Sequence, residues 1–490
     1  MPIVPVGEWK PDLSDYEGST SRNVQNVVPR ADGYGPFPDL LSITQSLGEA
    51  CRGAIEAVKS DGSFVVFAAT ATDLYILNNT DLSWSNVSKG AVSYTAVPPT
   101  DQWQFKQFNN LVIAVQANAN PQVYDIVSSS SFDDLAGNPP QARYIDVIGR
   151  FAVLTGLPAA PKRVQWSGLN DVNGTDSWTS GINSSDFQDF PDGGTTRGVA
   201  GGESGGVVLQ DTAIRRMTYV PGSPVIFQID RISEDLGIYA AGSLVRAGER
   251  VFFYSTKGFH RIDPGGYPTP IGREKVDRTF FADLDKDNLQ LFMGSADPRN
   301  TRVFWAYKSI NGSVGQFDKL LCYDWALDRF TPITVSGEYL YPIGQPGITL
   351  ENLDALTTSL DALTTSLDYF SIASPPELGV MTADHKVGFF RGQSLEATME
   401  TAEQGTDGRR FKVRGFRPIT DAPIVYGSVS RRENQRDTPT YTAEGALNRL
   451  GRCDVLTSTR YSRARGRIPA GTAWSFFAGV EPDFVYQGMK

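Results

Sequence analysis

Cysteine and histidine are scarce in this chain of 490 residues, which holds three of the first and two of the second. Cys51, Cys322 and Cys453 lie too far apart for a Cys-x-x-Cys zinc site or a disulfide scaffold, so they are expected to be buried thiols. His260 and His385 with dispersed cysteines build no zinc constellation, and no glycine-rich phosphate loop precedes a lysine. No metal and no cofactor is expected. No run approaches the roughly 20 apolar residues of a membrane span. The opening Met1-Pro2-Ile3-Val4-Pro5-Val6-Gly7-Glu8 has no charged start followed by an apolar stretch. The expectation is a soluble protein made in the cytosol, without a membrane span.

What the chain does contain is strand grammar. Apolar residues make up 40% and aromatics 11%, enough for a large core and against disorder. The length exceeds the roughly 250–300 residues at which single cores stop growing, so the chain holds several modules or one large closed β architecture. Runs rich in Val, Ile, Phe and Tyr start at 64, 111, 151, 207, 251 and 303. Most are followed, after a turn, by a second strand with an aromatic, as in Asp73-Leu74-Tyr75-Ile76-Leu77, Gln122-Val123-Tyr124, Arg216-Met217-Thr218-Tyr219 and Gly258-Phe259-His260. Each pair reads as two adjacent strands of a four-stranded blade, and the spacing is that of a β-propeller. A generic all-β sandwich is the alternative, because no Trp-Asp or kelch signature recurs.

The predicted organisation is all-β: an N-terminal arm over 1–40, a β-propeller over 41–395, and a basic β-sandwich-like module over 396–490. A short heptad segment is inserted at about 345–375. There Leu353-Asp354-Ala355-Leu356-Thr357-Thr358-Ser359 is repeated directly, which places Leu353, Leu356, Leu360, Leu363 and Leu367 at coiled-coil spacing. Two heptads are short of a stable coiled coil and Thr-Thr-Ser disfavours helix, so the segment reads as an assembly contact or a surface insertion.

Residues 401–490 carry a net charge of +6, which leaves −16 for the first 400 residues against −10 for the whole chain. An acidic body is a poor general binder of phosphate backbones. The asymmetry suits subunits that meet through complementary ends, and Arg463, Arg465 and Arg467, at period two on one strand face, are the candidate contacts.

Enzyme motifs are weak. Gly202-Glu203-Ser204-Gly205-Gly206 satisfies G-x-S-x-G, but a strand, Val207-Val208-Leu209, follows where a nucleophile elbow needs a helix. Asp283-Leu284-Asp285-Lys286-Asp287 opens like a calcium loop, yet Asn288 stands where Gly is needed and Gly294 where a bidentate Glu is needed. No catalytic residue is assigned, and the chain is expected not to be an enzyme.

The segment Asn26-Val27-Val28-Pro29-Arg30-Ala31-Asp32-Gly33-Tyr34-Gly35-Pro36-Phe37-Pro38 resembles the N-terminal stretch of the tail nozzle, or packaged-DNA stabilisation, family of short-tailed bacteriophages. Gly149-Arg150-Phe151-Ala152-Val153, Asp176-Ser177-Trp178, Phe190-Pro191-Asp192-Gly193-Gly194 and Arg197-Gly198-Val199-Ala200-Gly201-Gly202 are similar to that family's central blades. The match runs over most of residues 20–280 and more weakly over the C-terminal module. The resemblance implies a structural virion protein, a tail hub forming a hexameric ring with copies of itself. That ring would continue and close the DNA exit channel below the portal and the adaptor, or head-to-tail connector. It would carry tail fibre, tailspike or needle proteins, enclose DNA without sequence-specific binding, and assemble in the bacterial host cytoplasm. The duplicated heptad has no place in the family pattern. A glycan-binding or glycan-hydrolysing propeller is the alternative from another class, and an interaction scaffold of a bacterial host is a third.

Overall fold

The computed structural model of the chain describes residues 3–16, 18–223, 225–344, 376–405 and 409–487. The duplicated heptad, including Leu353, Leu356, Leu360, Leu363 and Leu367, lies outside the described residues. The two described strands that flank it, Tyr339–Ile343 and Glu377–Met381, pair directly, with Ile343 opposite Glu377.

Among the described residues, seven four-stranded antiparallel sheets follow one another and form a β-propeller. The strands that start at 53, 104, 144, 196, 245, 293 and 339 are the innermost of blades 1 to 7. Packing between innermost strands closes the ring, with Tyr339–Ile343 of blade 7 lying against Gly53–Val58 of blade 1. The fourth strand of blade 7 comes from the other end of the chain: Pro38–Ser42 pairs with Val387–Ser394, Leu41 opposite Phe389. Circular closure by a strand some 350 residues away ties the two ends of the propeller sequence together.

Every blade is covered on both faces by its neighbours, so its second strand reads as an unbroken apolar run, as buried sheets do. Phe151–Thr155 is buried at all five positions. Alternation sends successive side chains to opposite neighbours. In blade 5, Val251 and Phe253 pack toward blade 4 with Leu209 and Ile214, whereas Phe252 packs toward blade 6 with Trp305 and Tyr323. The core is thus a set of wedges between blades. The predicted strand pairs are adjacent strands in these blades, with Tyr75 opposite Ala68, Val112 opposite Tyr124, and Phe252 opposite Arg261. Cys51, Cys322 and Cys453 are free thiols and all buried, as expected.

The C-terminal residues form a second, two-sheet module, and here the predicted boundary is corrected. The first 36 residues are not a separate arm. Val4–Pro5 pairs with the last strand, Phe477–Tyr486, and so does Gly33–Pro36, which in turn pairs with Val27–Arg30. Val24–Gln25 pairs with Ala397–Glu400 on the opposite sheet. The chain starts in the sandwich, runs once round the propeller and returns to complete the same sandwich. Short strands rich in Pro and Gly carry little periodicity, which hid this from the sequence pattern.

The two modules share one core. A single buried cluster runs from Phe252, Tyr254, Trp305 and Phe330 of blades 5 and 6 into Val24, Val27, Tyr34, Phe416 and Phe477 of the sandwich. Asn26 pins the joint. Its backbone N–H donates to Pro332 O (3.0 Å), its Oδ1 accepts from Thr334 N (2.7 Å), and its Nδ2 donates to Glu396 O (2.9 Å). Its φ of +58° lies in the left-handed region, which Asn tolerates better than most residues.

A second fastening joins Asp12 to the helix α1, Asp277–Asp283. The buried Asp12 carboxylate accepts from Arg278 N (2.8 Å) and from Thr279 N (2.9 Å), so a residue distant in sequence caps the helix. Asp277 itself is pushed up to about 6 by burial and by the nearby Asp12 charge, against a hydrogen bond from Phe259 N that favours the carboxylate.

Two outcomes follow from the joint. Asn26→Ala loses the side-chain bonds and strains the left-handed backbone, and should cost about 2–3 kcal/mol in denaturant unfolding, whereas Asn26→Gly keeps the φ and should cost less. The folded state holds the Asp277 proton up to a higher pH than the unfolded chain does, so this carboxyl's contribution falls as pH rises from about 4 through about 6. Asp277→Asn should therefore gain about 1–2 kcal/mol relative to wild type at pH 8 and nothing at pH 4, read as melting temperature against pH.

Candidate functional site

The axis of the propeller holds a cavity of about 940 Å³, lined by residues of blades 2 to 7. Innermost strands carry both apolar residues that wedge between blades and polar ones that face the axis. Four of these strands are stitched by one polar belt. Lys106 Nζ lies 2.5 Å from Asp146 Oδ1, and Gly201 N donates to Asp146 Oδ2 at 2.6 Å. The carbonyl of the same Gly201 accepts from Arg246. Blades 2, 3, 4 and 5 are thereby linked in sequence, and Asp146 satisfies a cation and a backbone donor at once. A side chain at Gly201 would collide with Val147, which is why glycine stands there.

At the entry end of the innermost strands the axis is bridged. Gln102, just before blade 2, donates from Nε2 to the carbonyl of Gln290, just before blade 6 (3.0 Å). Arg52 holds the same loop by donating from Nε to Gln102 Oε1 (2.9 Å) and from Nη2 to the carbonyl of Pro98 (3.2 Å). Asp101 pairs with Arg143 at 2.9 Å. Blades 2 and 6 lie on opposite sides of the ring, so this contact crosses the axis.

The three arginines proposed as assembly contacts are placed differently from expectation. Arg463 is 5% exposed and lies in the sandwich interior, its Nε 2.5 Å from Asp15 Oδ2, with Glu403 at 3.5 Å. Arg465 pairs with Glu400 and lies over the Tyr441 ring (3.6 Å). Arg467 is held by Glu444 and Glu396 (2.8 Å to the latter) and lies over Tyr426. These residues are an internal charge network rather than a free basic face. Counting charge by segment missed it because Asp15 arrives from 448 positions away in sequence. Burial alone would raise the Asp15 carboxyl, and the Arg463 guanidinium reverses this and holds it below the usual range.

Ser204 lies in the turn between Thr196–Gly201 and Gly205–Gln210 of blade 4, where its carbonyl accepts from Tyr219 N (3.2 Å). His260 belongs to blade 5, with Nδ1 2.9 Å from Gly258 O and its ring against Phe253. His385, in blade 7, lies 2.8 Å from the buried carboxylate of Glu338, which also accepts from Cys51 N (2.9 Å). In the calcium-like stretch, Asp283 accepts from Lys319 (2.6 Å) and Tyr307, and Asp285 from Lys308 (2.6 Å) and Asn288. Among the described residues no group of three or more His, Cys, Asp or Glu is arranged to hold a metal ion, and no helix is long and apolar enough to cross a membrane.

No protein-family model and no curated protein matches the sequence. Solved structures similar to it include the extracellular domain of a hybrid two component system from B. thetaiotaomicron, at 11% identity and a TM-score of 0.42, covering 78% of this chain and 44% of that one. BamB from Moraxella catarrhalis is similar at 12% identity and a TM-score of 0.37, covering 74% of this chain and 92% of that one. The chain thus spans less than half the length of the first of these.

The arginine network yields a direct test. Arg463→Glu places a third carboxylate beside Asp15 and Glu403 in a buried site and should cost about 3–5 kcal/mol or prevent folding, at low and high salt alike. Arg467→Glu, at a half-exposed position, should cost about 1–2 kcal/mol and should be softened by salt. Equal, small losses in urea unfolding for both would contradict the assignment of Arg463 as buried and paired.

Proposed function

We propose that the protein is a structural component of a short-tailed phage tail, a nozzle or hub subunit that forms a ring with copies of itself. Such a ring continues the DNA exit channel below portal and adaptor and carries fibre, spike or needle proteins at its lower end. The observation that carries this reading is where the family-like residues fall. Asn26 to Pro38, the segment on which the resemblance to tail nozzles rests, is the joint of the molecule: Asn26 pins blade 6, Tyr34 sits in the shared core, and Pro38 opens the strand that closes the propeller. A virion part must transmit load between modules without shearing, and a fused core with a circularly closed propeller suits that demand.

Charge is compatible with the same role. The first 400 residues carry −16, and an acidic surface repels phosphate, so DNA slides past instead of adhering. Because Arg463, Arg465 and Arg467 are engaged within the subunit, ring contacts are assigned to other surfaces.

The test is assembly. Purified protein is mixed with portal–adaptor particles and imaged by electron microscopy, alone and in the mixture. Ring density of this protein below the adaptor is the expected result. Particles that never acquire it, together with glycan binding abolished by substitutions at the axial cavity, would replace this reading with the glycan-binding alternative.

A further inference from the structure

The sandwich contains an apolar cavity that its own side chains do not fill. It measures about 200 Å³ and lies between the two sheets. One wall is aromatic: Phe411 and Phe484 meet edge to face at 5.7 Å, and Phe484 meets Tyr486 the same way at 5.3 Å. The facing side carries the small residues Ser462 and Ala464 beside Thr401, Gln404 and Val429. Large rings opposite serine and alanine leave a gap, because two packed sheets stay about 10 Å apart and short side chains do not reach across.

Protein interiors are packed to the density of organic crystals, and voids well above the size of a water molecule are few. A cavity of roughly 150 Å³ lined by apolar side chains stays dry and accepts benzene or xenon. This one is larger, and its inner end is buried, Phe411 being 3% and Ser462 8% exposed, while Phe484 and Ala464 are partly exposed. Tyr486, 62% exposed, lies at its mouth and gives it a route to solvent. Water gains little there, whereas a flat or branched apolar group recovers the missing contacts and can stack against the aromatic wall.

We infer that this cavity is a binding site for one aromatic or branched-alkyl group, about the size of a benzene or indole ring. The site belongs to the sandwich, so the inference is independent of the role assigned to the whole chain.

The test uses the full chain. Melting temperature is measured against rising benzene and indole, and a blocked Gly-Trp-Gly peptide is run beside them. Binding at tenfold the dissociation constant should raise the melting temperature of this 490-residue chain by about 1–2 °C. A response to indole alone identifies a free small molecule as the guest, whereas a response to the peptide as well means that the group can arrive on a polypeptide. Ala464→Leu fills the gap from the small-residue wall and should weaken indole binding at least tenfold. If that variant does not fold, crystals of the wild type under xenon pressure decide the matter, with xenon expected between Phe411, Phe484 and Ala464. No shift with benzene or indole, and no xenon between the sheets, would overturn the proposal.

Discussion

Two-sided burial is the constraint on which the rest of this molecule depends. A four-stranded sheet exposes two faces, and in a ring of seven each face must meet a neighbour, so every blade needs apolar residues on both sides of its second strand. That requirement sets the composition of Phe151–Thr155 and Arg250–Ser255 and forces the chain to close on itself, since an open end would leave one apolar face wet. Closure comes from Pro38–Ser42, a strand that precedes blade 1 in sequence and completes blade 7 in space. One of the seven wedges, between blades 5 and 6, continues outward into the sandwich. The modules therefore cannot separate without opening the buried cluster that spans them.

How much of this was legible in the sequence depends on the range of the interaction. Strand pairs within a blade are local, joined by short turns, and their periodicity marked them: Leu111–Gln116 with Ala119–Asp125 and Arg250–Ser255 with Gly258–Ile262 are pairs in the structure. Partners that come from the other end of the chain left no such mark. The N-terminal strands Val4–Pro5 and Val24–Gln25 are two residues long and acquire their β-structure only from sandwich strands more than 370 positions away. The same blindness turned Arg463, Arg465 and Arg467 into an apparent basic face. Their period of two was visible, but Asp15, Glu396, Glu400, Glu403 and Glu444, which neutralise them, are grouped around them only by folding. The axial belt was hidden for a related reason, because Lys106, Asp146 and Arg246 stand in three blades and share nothing in sequence but their rank within an innermost strand.

The belt and the bridge across it bear on any account in which this chain encloses DNA. Polar residues on innermost strands tie blades 2 to 5 through Asp146 and Gly201, and Gln102 reaches Gln290 across the axis. A duplex could pass along that axis only by breaking the Gln102–Gln290 contact and parting strands whose wedges are already filled by Phe108, Ile145 and Val199. Opening the ring to that width would expose several apolar wedges together, at a cost of tens of kcal/mol if each buried aromatic or aliphatic contributes about 1.5–3. No contact with a sliding polyanion offsets that. Under the proposed ring, the DNA path would therefore have to run between subunits, along outer surfaces, with the propeller as a stiff wall of the channel instead of the channel itself.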